Sequence, residues 1–320
     1  MRTMRAVRYD EFGPADVLHV ADVPVPAIEP GEVLVKVRAA GVGGGEPAIR
    51  AGRLRRVLRH RPPAGVGNEF TGHVESVGAR VSGLRAGEAV WGLMPHLTFG
   101  STAEYVAVPE RLLAPAPRTI DLVEAAALPS AGTTVLTALT VRTRLRAGQR
   151  LLVRGAGGGV GTVAVQLGKH LGAHVTALVS TGAAERVRDL GADEAVDYRG
   201  DAVAGLGPYD VILDLVGTDL PAFRRMLSRD GRMIALALDP ARLARNVLFL
   251  ARGALGRSRR VVSFSNDPDR GTLADLTRYV DAGAVRPVVD TVLPMAGTAE
   301  AHRRIEAGGV RGRYVIDVTA

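Results

Sequence analysis

The chain has 320 residues, 47% of them hydrophobic and 23% charged, which suffices for a sizeable core and, by length, about two domains. It contains no cysteine, so disulfides, cysteine–zinc sites, thiol nucleophiles and iron–sulfur clusters are excluded. The formal charge is +8.

In chain order, the first third reads as strands: RAVRYD, VLHVADVP, EVLVKVRAAGV, TGHVESVG and AEYVAVP place β-formers between glycine and proline punctuation. DLVEAAALPSAGTTVLTAL then has helical composition, with Pro129 as an interruption. From Arg150 the pattern alternates: strand LLVRG, helix VGTVAVQLGKHLGA, strand HVTALVS, helix AAERVRDLGA, strand EAVDY, strand YDVILDLVG, helix PAFRRMLSRDG, strand RMIALAL and helix LADLTRYVDAG. Such alternation means crossover units and a parallel sheet, and the apolar runs VILDLV and MIALAL suit strands buried on both faces. VRPVVDTVLPM and RYVIDVTA read as closing strands. The expected fold is α/β: a strand-rich domain, residues 1–122 completed by 285–320, and a doubly wound domain, 123–284.

The segment RGAGGGVGT, residues 154–162, sits between the first strand and first helix of the α/β part. Bare backbone there permits a tight turn and close approach of a diphosphate, whose charge the helix N-terminus favours. The spacing is G-x-x-G-x-x-G, through Gly155, Gly158 and Gly161, with Gly159 and the Val160 main chain inside the turn. A turn that serves only helix–strand packing is the competing explanation. The second strand ends at Ser180 and Thr181 without the carboxylate that meets a free 2′-hydroxyl. Those hydroxyls and Arg186 suit a 2′-phosphate, so NADPH is expected, with NADH the alternative; the two hydroxyls could also cap the next helix.

The arginine clusters RAGRLRRVLRHR (50–61) and RLARNVLFLARGALGRSRR (242–260) read either as patches for nucleic acid, acidic lipid or phosphate, or as plain solvated surface. No aromatic interleaves with the first, which counts against nucleic acid. The N-terminal MRTMRAVRYDEFG lacks a signal peptide's apolar stretch, and no apolar run reaches the ~18 residues of a membrane span, so a soluble cytoplasmic protein is expected.

LLVRGAGGGVGTVAVQLGKHLGAHVTALVST and LGADEAVDY, with PGEVLVKVRAAGV, GNEFTGHVESVG, AEYVAVP and GRYVIDV, resemble the medium-chain dehydrogenase/reductase superfamily over nearly the whole chain. Within it the likeness is to the zinc-free quinone oxidoreductases of the zeta-crystallin type. The resemblance implies a GroES-like catalytic domain and a Rossmann domain, a homodimer, and hydride transfer from NADPH to a small electrophilic acceptor, a quinone or an enone; an enoyl thioester or a low-turnover nucleotide-binding role are the alternatives. Where zinc relatives carry a cysteine and a G-H-E histidine, this chain has Gly43, Gly44 and Asn68, so no zinc is expected. By the same resemblance, Tyr198 lies near the adenosine, Val216 and Gly217 under the ribose, Thr134 beside the nicotinamide, Phe264 over its amide, and Arg313 in place of a late lysine. The cluster at 50–61 would lie near the substrate, where it could hold a carrier phosphate. Glu46 stands near an expected acidic position or is a surface carboxylate; Gly43, Gly44 and Gly45 widen a pocket or tighten a turn. The catalytic residues are unknown.

Overall fold

The computed structural model describes residues 2–55, 61–200, 203, 205–238, 242–255 and 258–320. Much of the first cluster's arginine run, Arg56 and Arg59 included, lies outside these residues, as does Arg257 of the second. The chain opens with β1 (Thr3–Tyr9), β2 (His19–Pro24), β3 (Glu32–Val42), α1 (Glu46–Arg50), β4 (Ala64–Gly65), β5 (Glu69–Val77), β6 (Ala89–Leu93), β7 (Tyr105–Pro109) and β8 (Leu113–Pro115). Two short helices follow, α2 (Leu122–Ala125) and α3 (Pro129–Leu136), the second running into a π-helical segment at Thr137–Arg142. Pro129 opens α3 rather than breaking a longer helix, because at a first helical position its missing N–H costs nothing.

The alternating region comprises β9 (Arg150–Arg154), α4 (Gly159–His170), β10 (His174–Val179), α5 (Ala184–Asp189), β11 (Glu194–Asp197), β12 (Tyr209–Asp214), α6 (Leu220–Arg225), β13 (Leu227–Ala235), α7 (Leu243–Leu255) and β14 (Arg260–Val262). Then come α8 (Arg270–Asp281), β15 (Val289–Pro294), α9 (Thr298–Ala307) and β16 (Arg313–Asp317). Helix α9 is absent from the elements expected above. Helix α6 is shorter than expected: PAFRRMLSRDG does not run on as helix, because Leu227 pairs with Tyr209 and is buried at the start of β13.

By contacts the chain forms two compact units, residues 1–133 with 267–283 and 287–320, and residues 134–266 with 284–286. In the first unit β15, β16, β3, β5, β6 and β8 form one sheet in that order, with β7 pairing on β3, and β2, β1 and β4 form another. Val33, Phe70, Val90, Val108, Leu113 and Ile316 are fully buried in its core. The unit also holds α8, which the expected boundaries put with the α/β part. Thr277 Oγ1 of α8 donates to Pro115 O at 2.9 Å, and Arg270 pairs with Glu110 at 2.9 Å.

The second unit is built on a six-stranded sheet in the order β11-β10-β9-β12-β13-β14, every pair parallel. Leu151, Leu152, Val175, Ile212, Leu213, Met233 and Ile234 are all fully buried, as crossover helices on both faces require. The three residues 284–286 belong to this unit through Gln166 of α4, a buried amide. Gln166 donates to Arg286 O at 3.0 Å and accepts from Arg286 N at 2.9 Å. Among the described residues no helix is long and apolar enough to cross a membrane.

Candidate functional site

In the parallel sheet the chain runs outward from β9 to β10 and β11, then returns to the other side of β9 for β12, β13 and β14. That reversal leaves a crevice beyond the carboxyl ends of β9 and β12, the place where ligands bind in open sheets of this kind. The sequence-predicted residues converge on that edge. Residues 155–161 follow β9, Ser180 follows β10, Tyr198 follows β11, Val216 and Gly217 follow β12, and Phe264 follows β14. Thr134 is half-buried in α3. The π-helical segment that continues α3 is tied to the stretch after β14 by a 3.4 Å hydrogen bond from Thr137 to Asn266. The Arg142 guanidinium lies 5.3 Å from the Phe264 ring centre.

The glycine turn separates what the fold needs from what it does not. Gly155 has φ +82°, a left-handed conformation that favours glycine. A Cβ on Gly161 would lie 2.2 Å from Gly155 O and 2.6 Å from Ala156 Cα, so the helix can approach the strand only if that position is bare. Gly158 is different: its φ of −87° suits any residue, and a Cβ there would meet nothing closer than 3.7 Å. At Gly157 the nearest atom to an added Cβ, that of Ala183, is 3.4 Å away. Packing therefore explains two glycines and leaves two unexplained. Gly158 is also the N-cap of the twelve-residue α4 and supplies no side-chain cap, so the N–H groups of Gly159, Val160 and Gly161 in the first turn are left for an anion.

Behind the turn lies a pair of charges that sequence reasoning missed. Arg154, the last residue of β9, pairs with the fully buried Asp214, the last of β12, at 2.8 Å. The other Asp214 oxygen accepts from Val216 N at 3.0 Å and Gly217 N at 2.6 Å. Arg154 also donates to Thr218 O and, at 2.7 Å, to Thr218 Oγ1, and its guanidinium stacks 4.0 Å from the Phe223 ring centre. The signal was a lone aspartate in the apolar run VILDLVG and a lone arginine before the glycines.

Beside the turn, Arg186 of α5 reaches toward Gly157: its Nη2 would be 3.9 Å from a Cβ placed there, and its buried Nε has no hydrogen-bond partner. Ser180 is half-buried at the strand tip. Helix α5 begins after Ala183, which supplies no side-chain cap. Glu185 is exposed, and Tyr198 is 54% exposed with its ring against Arg199.

Arg313 lies in β16 of the strand-rich unit, 7% exposed, and forms an ion pair with the fully buried Glu69. Its charge is committed to that carboxylate, which also accepts from Ser130 N at 2.8 Å. Glu46 is no surface carboxylate: it is 5% exposed, and accepts from Gly43 N at 2.6 Å and Gly67 N at 2.9 Å. Gly43 is bare because a Cβ would sit 2.9 Å from Glu46 Oε1, so here the glycine run tightens a turn, while Gly44 and Gly45 face open space. Arg50, first of the arginine cluster, is likewise buried, and pairs with Glu306 at 2.7 Å. His302 Nε2 stands 3.9 Å from Glu46 Oε2. Burial lifts the Glu46 carboxyl to about 7 despite its two N–H donors, and burial together with the nearby Arg50 charge pushes His302 down to about 3.

Comparison with known proteins decides the lineage. Residues 29–118 match the alcohol dehydrogenase GroES-like domain, and residues 190–316 the zinc-binding dehydrogenase domain. The chain is 33% identical to the NADPH-dependent alkenal/one oxidoreductase, chloroplastic, of Arabidopsis thaliana, over 98% of its own length and 80% of that protein's. It is 33% identical to the 2-methylene-furan-3-one reductase of Solanum lycopersicum, over 98% and 79% of the two chains. The quinone oxidoreductase from Coxiella burnetii superposes with a TM-score of 0.88 at 27% identity, over 99% of this chain and 100% of that one. The chain belongs to the medium-chain dehydrogenase/reductases, in their quinone oxidoreductase group. The family's zinc chemistry does not fit the residues present. Gly43, Gly44 and Asn68 offer no thiolate or imidazole, Glu69 is spent on Arg313, and no three His, Asp or Glu among the described residues stand together as a ligand set.

Two outcomes follow. Gly158→Val folds with a melting temperature near the parent's but weakens NADPH binding at least about tenfold, or ~1.4 kcal/mol. Gly161→Val loses about 1–3 kcal/mol of stability through overpacking. Fluorescence titration and thermal melts check both, and unchanged affinity in the Gly158 variant would reject the turn as a diphosphate site. Glu46 binds its proton more tightly folded than unfolded, so its contribution is lost as pH rises from 4.5 to about 7. Relative to the parent, Glu46→Gln therefore gains about 1.4 kcal/mol per pH unit across that window. His302→Gln gains instead as pH falls from 6.5 toward 3, because the parent's buried neutral imidazole must charge to unfold. Urea melts across pH measure both differences, and parallel curves for parent and variants would contradict the assignment.

Proposed function

We propose that this protein is an NADPH-dependent, zinc-independent reductase that delivers a hydride to a quinone or to the activated C=C of an enone. One observation carries the reading: at the switch point of the sheet, Gly157 and Gly158 leave space that the fold does not use, beside an uncapped helix N-terminus and the Arg186 guanidinium. The names of its relatives, an alkenal/one oxidoreductase and a quinone oxidoreductase, support the substrate class.

In this reading the backbone N–H groups of Gly159, Val160 and Gly161 hold the diphosphate. Ser180, Thr181 and Arg186 take the 2′-phosphate, and Tyr198 lies along the adenosine. Val216 and Gly217, fixed by Asp214, support the ribose. Thr134 and Phe264 flank the nicotinamide, which supplies the hydride when bound. The chain's part is to orient the ring and to exclude water from its reacting face. As the acceptor's oxygen gains charge, water supplies the balancing proton, since no side chain is assigned as general acid. Arg313, which the resemblance places among the nucleotide's contacts, is paired with Glu69. We place the enzyme in the cytoplasm as a homodimer, which suits a cysteine-free chain of this family.

The test is NADPH oxidation, followed by absorbance, with quinones, enones and enoyl thioesters as acceptors. Turnover is expected with at least one class and without added zinc. Arg186→Ala raises KM for NADPH about tenfold, the effect of losing one charge-assisted contact, and leaves KM for NADH within about twofold. Tight NADPH binding with no turnover on any acceptor would instead identify a nucleotide-binding protein.

A further inference from the structure

The strand-rich unit holds two buried titratable groups that the nucleotide reading does not use, Glu46 at the start of α1 and His302 in α9. Glu46 Oε2 and His302 Nε2 are 3.9 Å apart. His302 is the only buried histidine among the described residues, and neither of its ring nitrogens has a hydrogen-bond partner. Each Glu46 oxygen accepts one main-chain N–H, Gly43 N on Oε1 and Gly67 N on Oε2. The charged and titratable groups around the two are already engaged. Arg50 of α1 pairs with Glu306 of α9, and Arg313 of β16 with Glu69 of β5. Burial pushes the Tyr9 hydroxyl of β1 up to about 12. Of the other carboxylates on elements packed against α9, Asp16 pairs with Arg303 at 2.5 Å, and Asp290 of β15 accepts from Arg311 N at 2.7 Å. That leaves Glu46 and His302 facing each other.

At 3.9 Å no water fits between the two groups, and a rotation that closes about 1 Å brings them into hydrogen-bond range. Burying a carboxylate and an imidazolium together carries the desolvation cost of two ions, and the Arg50 charge opposes the second. The imidazole is therefore neutral, and a neutral imidazole presents one nitrogen as donor and the other as acceptor, in either order. We infer that Glu46 and His302 form a proton switch: the protonated Glu46 carboxyl donates to His302 Nε2, and the ionised carboxylate accepts from His302 Nε2–H. On ionisation the carboxyl O–H bond breaks as the Nε2–H bond forms, and the Nδ1 proton leaves to solvent. The link between α1 and α9 survives in both states, while the charge on Glu46 changes. Burial lifts the Glu46 carboxyl to about 7, so the switch turns over near neutral pH. The ionised form makes the contacts to Gly43 N and Gly67 N charge-assisted, shorter and stronger than neutral ones. Rising pH thus tightens the clamp between the turn after β3 and the loop before β5, even as burial of the charge costs the fold stability. The device is independent of the reductase reading.

Isotope-edited NMR of the histidine ring nitrogens in the full-length protein, on both sides of the Glu46 midpoint, tests this. His302 is recognised as the ring absent from His302→Gln or, should that variant not fold, as the ring whose N–H exchanges slowest with solvent. The ring is expected to stay neutral throughout, protonated on Nδ1 at the acid end and on Nε2 at the alkaline end, with a midpoint at about 7. The infrared C=O band of a buried protonated carboxyl disappears with the same midpoint, and the Gly43 and Gly67 amide protons move downfield with it. In Glu46→Gln the side chain cannot ionise, so His302 keeps one tautomer across the range and that carboxyl band is absent. A His302 ring that is cationic at neutral pH, that holds one tautomer in the parent, or that switches equally in Glu46→Gln would each overturn the inference. A carboxyl band whose midpoint differs from that of the ring would overturn it without recourse to any variant.

Discussion

The candidate site depends on one buried ion pair. Arg154 and Asp214 end adjacent strands, and between them they tie down the turns that follow both. Asp214 holds the main-chain N–H groups of Val216 and Gly217, and Arg154 holds Thr218. Breaking such a pair by removing one partner leaves an uncompensated buried charge, a loss of about 3–5 kcal/mol. The pair sits where strand order reverses, so the geometry of the crevice is set from below by charges that need touch no ligand. A pre-set crevice suits a reaction in which the nucleotide does the bond-making and the protein supplies position.

The strand-rich unit shows what becomes of a metal-site framework when other chemistry occupies it. Glu69, the carboxylate of the Gly67, Asn68, Glu69 triplet, is neutralised by Arg313. Glu46 fills the volume left by Gly43 and accepts two main-chain N–H groups. Each acidic group of the region is thus occupied inside the protein. Arg313, which the family resemblance assigned to the nucleotide, is paired with Glu69 in this structure.

What was legible in the sequence was whatever rests on local spacing. The glycine turn, the strand–helix alternation and Ser180 could be read because each follows from strands whose apolar runs announce them, while Tyr198, Val216 and Phe264 came only through the family resemblance. What was not legible rests on distance along the chain. Arg154 and Asp214 acquire meaning only when β9 and β12 pair. Glu46 read equally well as a surface group because nothing in GVGGGEPAIR says that Gly67 will arrive above it. The end of α6 was missed because Leu227 is claimed by Tyr209, a partner from the previous strand. Helix α9 does show inward spacing at Thr298, Ala301, His302 and Ile305, but a histidine on the buried face and four charged neighbours dilute the apolar pattern.

The return of residues 284–286 to the α/β unit has a practical bearing. The chain enters that unit twice, and the second visit is what satisfies the amide of Gln166 in the middle of α4. A fragment that stopped at residue 266 would leave the amide oxygen without its partner and the amide nitrogen with only Thr162 O, on the very helix whose start faces the glycine turn. Anyone dissecting the protein for crystallisation or for grafting its nucleotide half onto another scaffold would do better to carry the later segment along, joined by a short linker, than to cut at the apparent end of the sheet.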